Sequence, residues 1–162
     1  MKRISMGTLI IALLIPLIVG GASAALSAKG MAIYGTMNKP PLSPPAWVFS
    51  VAWTILYFAM GFASYFIFVA EVDTRSKSIA LVMYVVQLIM NFMWSIVFFN
   101  WGMYLAAFVW LMVMWCIVIL CTLRAYCINR LAGYLLIPYI VWLTFAAYLN
   151  YGAYILNMNK KY

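Results

Sequence analysis

Lys39-Pro40-Pro41-Leu42-Ser43-Pro44-Pro45-Ala46-Trp47 stands directly before an apolar run over residues 48–70. Four of the chain's six prolines fall in this strip. Each ring fixes φ and removes a backbone donor, so the strip cannot be helical until it ends. Pro44 and Pro45 stand where the first turn of a helix has spare N–H groups, which makes them helix starters. Trp47 and Trp53 then bring large aromatic rings to the entry of that helix. With an apolar segment of membrane length on either side, the strip reads as a rigid loop between two membrane helices.

The composition of the whole chain agrees. Of its 162 residues, 69% are hydrophobic and 7% charged, and mean hydropathy is +1.07. No water-facing surface can be assembled from so few polar residues. Apolar runs of about 20 residues recur, each enough to cross a hydrocarbon core of roughly 30 Å. The expected fold is therefore an all-α integral membrane protein, a five-transmembrane-helix bundle forming one domain over residues 1–162. Net charge is +8, with the basic residues at helix ends and loops, where they set topology and meet lipid headgroups. Nucleic acid is excluded as a partner because there is no soluble basic face to hold it.

The chain has no histidine, and Glu71 and Asp73 are its only carboxylates, both in one short polar segment. Acid–base catalysis, a zinc site, a carboxylate proton relay and a Ser-His-Asp triad all lack their parts within the membrane. Cys116, Cys121 and Cys127 are odd in number and form no CxxC, so they read as buried thiols.

In chain order, helices are expected over about residues 4–28, 46–70, 79–99, 103–123 and 133–156, with a loop over 29–45. The first imitates a secretory signal, with a basic start and an A-x-A-like site at Ala22 to Ala24. Its apolar run is long for a signal core, and it reads as a retained membrane helix. Pro16 should free the carbonyl of Ala12, and Pro138 that of Tyr134. Gly20, Gly21, Ala24, Ala25 and Ala28 form a surface where another helix can approach closely. Trp101, Tyr104, Tyr126 and Tyr162 read as interface anchors, and Trp110 and Trp115 lie on different faces, one of them toward lipid. Six basic residues (Lys2, Arg3, Arg75, Lys77, Arg124, Arg130) against four (Lys29, Lys39, Lys160, Lys161) favour an inside N-terminus. No internal repeat is visible, which disfavours an inverted-repeat transporter.

Three helices share one spacing. Gln87, Asn91, Trp94, Ser95 and Phe98 follow i, i+4, i+7, i+8, i+11 and occupy one face. Trp53, Tyr57, Met60, Gly61 and Ser64 repeat it, as do Pro138, Trp142, Phe145, Ala146 and Leu149. Amides at membrane depth must face protein, water or ligand. Such faces suit a flat apolar ligand held by stacking and a few hydrogen bonds. Interfacial aromatics and interhelical amide bonds account for the same residues without any ligand.

The segment Tyr34-x4-Lys39-Pro40-x3-Pro44-Pro45-x-Trp47-Val48-Phe49-x3-Trp53-x2-Leu56-Tyr57-x2-Met60-Gly61 resembles the signature of the translocator protein family, also called tryptophan-rich sensory proteins or peripheral benzodiazepine receptors. Gln87-Leu88-x2-Asn91-x2-Trp94-x3-Phe98-Phe99 resembles its third helix. Leu136-x-Pro138-Tyr139-x2-Trp142-x2-Phe145-x3-Leu149-Asn150 resembles its fifth.

The resemblance implies a five-helix bundle, commonly a homodimer, with a pocket closed by the first loop. It implies binding of porphyrins such as protoporphyrin IX, of sterols and of benzodiazepine-type compounds, with no required cofactor and no metal. Carried over by position, Tyr34, Pro44, Pro45, Trp47, Trp53 and Tyr57 supply the lid and upper wall. Gln87, Asn91, Trp94 and Phe98 supply a second side, and Trp142, Phe145, Ala146 and Leu149 a third. Many members read Lys-Pro-x-Trp-x-Pro-Pro, whereas Leu42 stands here in place of that tryptophan. Light-dependent porphyrin breakdown in the family is ascribed to that residue together with the counterpart of Trp142. The chain is therefore expected to bind or sense tetrapyrroles in a bacterial cell membrane, the alternatives being light-dependent porphyrin degradation, which Leu42 disfavours, and passive transport of porphyrin or another lipophile.

Overall fold

The computed structural model describes residues 6–158. The expected helix start at Ile4, the basic residues Lys2, Arg3, Lys160 and Lys161, and the Tyr162 anchor lie outside the described residues. The fold is α1 Met6–Thr36, α2 Ala46–Val69, α3 Thr74–Ser95 continuing as a π-helical turn Ile96–Asn100, α4 Tyr104–Ile128 and α5 Arg130–Asn157. Five spans are long and apolar enough to cross a membrane. This is an all-α integral membrane protein.

Four helix ends differ from the sequence reading, each for a local reason. α1 runs eight residues past residue 28, because nothing after Lys29 stops a helix until the prolines; the loop shrinks to residues 37–45 and Tyr34 becomes helical. α3 starts at Thr74 rather than 79, because Asp73 caps it: its carboxylate accepts the Ser76 N–H at 2.8 Å. Those hydrogen bonds hold the Asp73 carboxyl below the usual carboxylate range. The expected loop over residues 124–132 collapses to Asn129. Its N–H closes α4 on the Ala125 carbonyl at 2.8 Å, while its side chain accepts from Leu131 N and Ala132 N at 2.9 and 3.2 Å to open α5.

Neighbour packing arranges the helices in the order α1, α2, α5, α4, α3, and α1 and α5 do not pack on each other among the described residues. Pro16 is fully buried, and the Ala12 carbonyl that it frees faces Gly61 of α2, where a Cβ would lie 2.9 Å from that oxygen. A side chain there would force the two helices apart. At Gly30 a Cβ would collide with the Phe99 carbonyl, so α1 lies directly on the π-helical turn. Its i+5 bond, Trp101 N–H to Ile96 O at 3.1 Å, accommodates one extra residue and sets Phe98 and Phe99 edge-to-face, centroids 4.9 Å apart.

The polar core joins helices through two amides. Tyr57 donates to Asn91 Oδ1 at 2.9 Å, Asn91 Nδ2 donates to the Tyr139 hydroxyl at 3.1 Å, and Tyr139 reaches Met114 Sδ at 3.8 Å. One asparagine thereby connects α2, α3 and α5, with α4 reached through Tyr139. Nearer the loop end, Trp94 Nε1 donates to Asn150 Oδ1 at 3.1 Å, and Asn150 Nδ2 donates to the Tyr104 carbonyl at 2.8 Å. Trp110 and Trp115 lie on different faces of α4, as expected, one bonding Met90 O of α3 at 2.9 Å and the other Thr144 Oγ1 of α5 at 3.0 Å; both are half-buried. One expectation is corrected here. Of the three cysteines only Cys121 is buried; Cys116 and Cys127 lie on the outer surface of α4.

Candidate ligand cavity

A cavity of about 450 Å³ opens inside the loop-side half of the bundle, between α1, α2, the end of α3 and α5. The three equally spaced faces reach it with their loop-side ends only. Trp53 stacks on Tyr57 at 5.4 Å and meets Trp142 edge-on at 6.4 Å. Trp94 stacks on Phe98 at 5.2 Å, and Tyr34 stands 5.9 Å from Phe98. The far ends close the floor: Gln87, buried, points its amide at Met60 Sδ, 4.0 Å away.

Ten of the fourteen expected residues line the cavity: Tyr34, Pro44, Pro45, Trp53, Tyr57, Trp94, Phe98, Trp142, Ala146 and Leu149. Four do not. Asn91 and Gln87 lie beneath the floor, and Phe145 backs Trp142 from outside at 5.8 Å. Trp47 is 67% exposed on the outer side of α2, because it precedes Trp53 by six residues and so stands about 120° around the helix from it. The α1 wall was missed. Gly20, Gly21, Ser23, Ala24 and Ser27 line the cavity; of the expected packing surface, Gly20 does meet a neighbouring helix closely, its bare backbone lying against the Tyr57 ring of α2, while Gly21 and Ala24 also make room. Their four-residue recurrence, with serines at 23 and 27, was the available signal.

The loop is latched over this space from α5. Asn157 accepts the Asn38 N–H at 3.2 Å and donates to the Asn38 carbonyl at 2.9 Å. Tyr148 donates to the Pro41 carbonyl at 2.7 Å, and Pro40 rests on the bare backbone of Gly152. Within the loop, Ser43 N–H reaches Pro40 O at 3.3 Å, closing a turn with Pro41 and Leu42 at its centre. Leu42 takes φ +67°, the left-handed conformation that a type II turn requires and that costs a branched side chain. It is 80% exposed and outside the cavity lining. Leu42→Gly is expected to stabilise the fold by about 1 kcal/mol, the relieved strain being partly offset by glycine's unfolded-state entropy. That corresponds to a thermal midpoint roughly 2–4 °C higher; an unchanged or lower midpoint would contradict the strain.

Sequence comparison bears directly on this arrangement. The model of the TspO/MBR family matches residues 12–156, which contain every cavity wall and the Tyr148 latch and end one residue before Asn157. The chain belongs to the TspO/MBR family. A tryptophan-rich sensory protein of Cereibacter sphaeroides is 39% identical over 127 residues, 78% of each chain. Tryptophan-rich protein TspO of Chlorobaculum tepidum is 33% identical over 142 residues, 87% of this chain and 90% of the relative. The translocator protein of Ovis aries is 34% identical over 135 residues, 82% and 79% respectively. Sensor and translocator are thus both names carried by TspO/MBR relatives that span most of this bundle.

Proposed function

We propose that this chain is a membrane receptor that binds porphyrins, such as protoporphyrin IX and heme-type tetrapyrroles, and other flat hydrophobic ligands, with an output in tetrapyrrole or stress regulation. The observation that carries this reading is a cavity walled by Trp53, Trp94, Phe98 and Trp142 and covered by the proline loop. Flat apolar ligand area buried between such rings contributes roughly 25 cal/mol per Å² before ordering costs. Membrane lipid surrounds the bundle, and the family resemblance supports a homodimer in a bacterial cell membrane. The six-to-four distribution of basic residues supports an inside N-terminus.

Binding is expected to appear as saturable quenching of tryptophan fluorescence when protoporphyrin IX is added to the protein in nanodiscs. Trp142→Ala should weaken binding about tenfold by removing one aromatic wall. Trp47→Phe, on the outer side of α2, should leave the dissociation constant unchanged. Absence of saturable quenching would defeat the receptor reading.

A further inference from the structure

α5 meets the proline loop with its last turn, so its first turn lies at the opposite end of the bundle. Arg130 begins α5 there and is exposed. Arg130, Tyr134, Ile137 and Val141 follow i, i+4, i+7, i+11 and are all exposed, which makes one outward stripe along the helix. In a helix that crosses the membrane, that stripe faces lipid. It starts with a cation at the helix end, passes a phenol about one turn deeper and is apolar below.

The neighbouring helix widens the top of the stripe. Tyr126, near the end of α4, meets Tyr134 edge-on, with ring centroids 5.5 Å apart. A Cβ at Gly133 would lie 2.5 Å from the Tyr126 Cβ, so the two helices approach closely here and fix where Tyr126 stands. Both rings are nevertheless exposed, and Leu123, one turn deeper on α4, is exposed as well. Two phenols and a guanidinium thus stand over an apolar surface shared by two helices.

No carboxylate among the described residues pairs with Arg130. The side-chain carboxylates of the chain are Glu71 and Asp73, and Asp73 caps α3 through the Ser76 N–H at 2.8 Å. A guanidinium presents five donors in a planar fork that matches phosphate oxygens. Topology asks for basic residues at one end of the bundle, a need that Arg75, Lys77 and Arg124 also serve. It does not ask for an unpaired guanidinium on the lipid-facing stripe, directly above two phenols.

We infer that the outer surface between α4 and α5 is a binding site for an anionic phospholipid. Arg130 takes the headgroup phosphate in its fork, and the Tyr126 and Tyr134 hydroxyls donate to the same headgroup. An acyl chain lies along Ile137, Val141 and Leu123. A zwitterionic lipid also brings a phosphate, but its own ammonium offsets the charge that Arg130 meets. The site is separate from the cavity, since Trp142 follows Arg130 by twelve residues, about 18 Å along α5. It therefore stands apart from the receptor reading.

Native mass spectrometry of the full chain in detergent, offered equal amounts of dioleoylphosphatidylglycerol and dioleoylphosphatidylcholine, reads which lipid binds first. The glycerol lipid is expected to be favoured about tenfold, an advantage that falls as ionic strength rises. Arg130→Gln should reduce the preference to about twofold or less, and Arg130→Lys, a point charge without the fork, should keep part of it. Arg124→Gln makes the same charge change two residues before Tyr126, on the other side of α4, and should leave the preference unchanged. Tyr126→Phe together with Tyr134→Phe should lower it about threefold with all charges retained, a readout that stands even where Arg130→Gln fails to fold. Equal binding of the two lipids by the native chain overturns the inference. Equal losses in Arg130→Gln and Arg124→Gln also overturn it, by assigning the preference to diffuse charge. Displacement of the glycerol lipid by millimolar inorganic phosphate would make the site one for a free anion and overturn the lipid as its occupant.

Discussion

Replacing Asn91 by leucine is expected to lower the thermal unfolding midpoint of the detergent-solubilised protein by roughly 4–8 °C, about 2 kcal/mol for a chain of this size. Asn91 accepts from Tyr57 and donates to Tyr139, and all three are buried. Leucine fills similar space, so the loss is polar rather than one of volume. Two phenols are then left in the core, each costing about 1–3 kcal/mol if unpaired. The lower part of that range applies, because in a membrane the unfolded helices also find partners and single bonds average about 0.6 kcal/mol. Tyr139 also keeps its contact with Met114 Sδ. The discriminating measurement is the triple variant Asn91→Leu, Tyr57→Phe, Tyr139→Phe. With no polar group left to satisfy, it should be more stable than Asn91→Leu alone. If the triple variant is less stable, the network contributes through its bonds and not through the cost of breaking them singly.

The second large effect is kinetic. Asn157→Ala removes both bonds of the clasp on Asn38. At about 1 kcal/mol each, the closed loop loses about 2 kcal/mol relative to the open one. If ligand passes beneath the loop, association and release should both accelerate about 10–30-fold, since 1.4 kcal/mol is a factor of ten. The dissociation constant should stay within about threefold, because a shift in opening acts on both rates alike. Tyr148→Phe, which loses the bond to Pro41, should give a smaller change of the same kind. Stopped-flow quenching with protoporphyrin IX measures this. Unchanged rates would show that ligand enters elsewhere, for instance beside the exposed Ser50 and Thr54 of α2, which also line the cavity.

The position of Leu42 alters what its substitution can achieve. The family resemblance implies that a tryptophan at this site would complete a pair with Trp142. In the folded chain, residue 42 is at the outer tip of the turn, 80% exposed and outside the cavity lining. With the loop latched as it is, Leu42→Trp adds a ring to the outer surface and none to the cavity.

What the sequence disclosed and what it withheld have separable causes. Periodicity identified the inward faces of α2, α3 and α5, because a lipid-embedded helix with amides and aromatics on one side has one way to turn. Depth along those faces was not legible: Trp53 and Met60 share a face, yet one lines the cavity and the other its floor. That division depends on how the five helices pack along their length, a tertiary fact. The α1 wall was hidden because glycine and alanine signal close packing and open space with the same letters. Helix ends were misjudged where polar residues were taken for a loop, as at Asp73 and Asn129, whose side chains in fact cap helices. Proline, which acts through covalent geometry, was the most dependable marker: the loop ends at Pro45 and α2 begins at Ala46.

The clasp between Asn38 and Asn157 joins positions 119 apart in the chain. Everything between them, including the α5 wall carrying Trp142, Ala146 and Leu149, must be synthesised and inserted before the loop can fasten. During biogenesis α1 to α4 can assemble through their nearer contacts. The binding chamber, by contrast, comes into being in a single late step, when its last wall and its fastening arrive on the same helix. A nascent chain therefore cannot close the cavity until its fifth helix is in place.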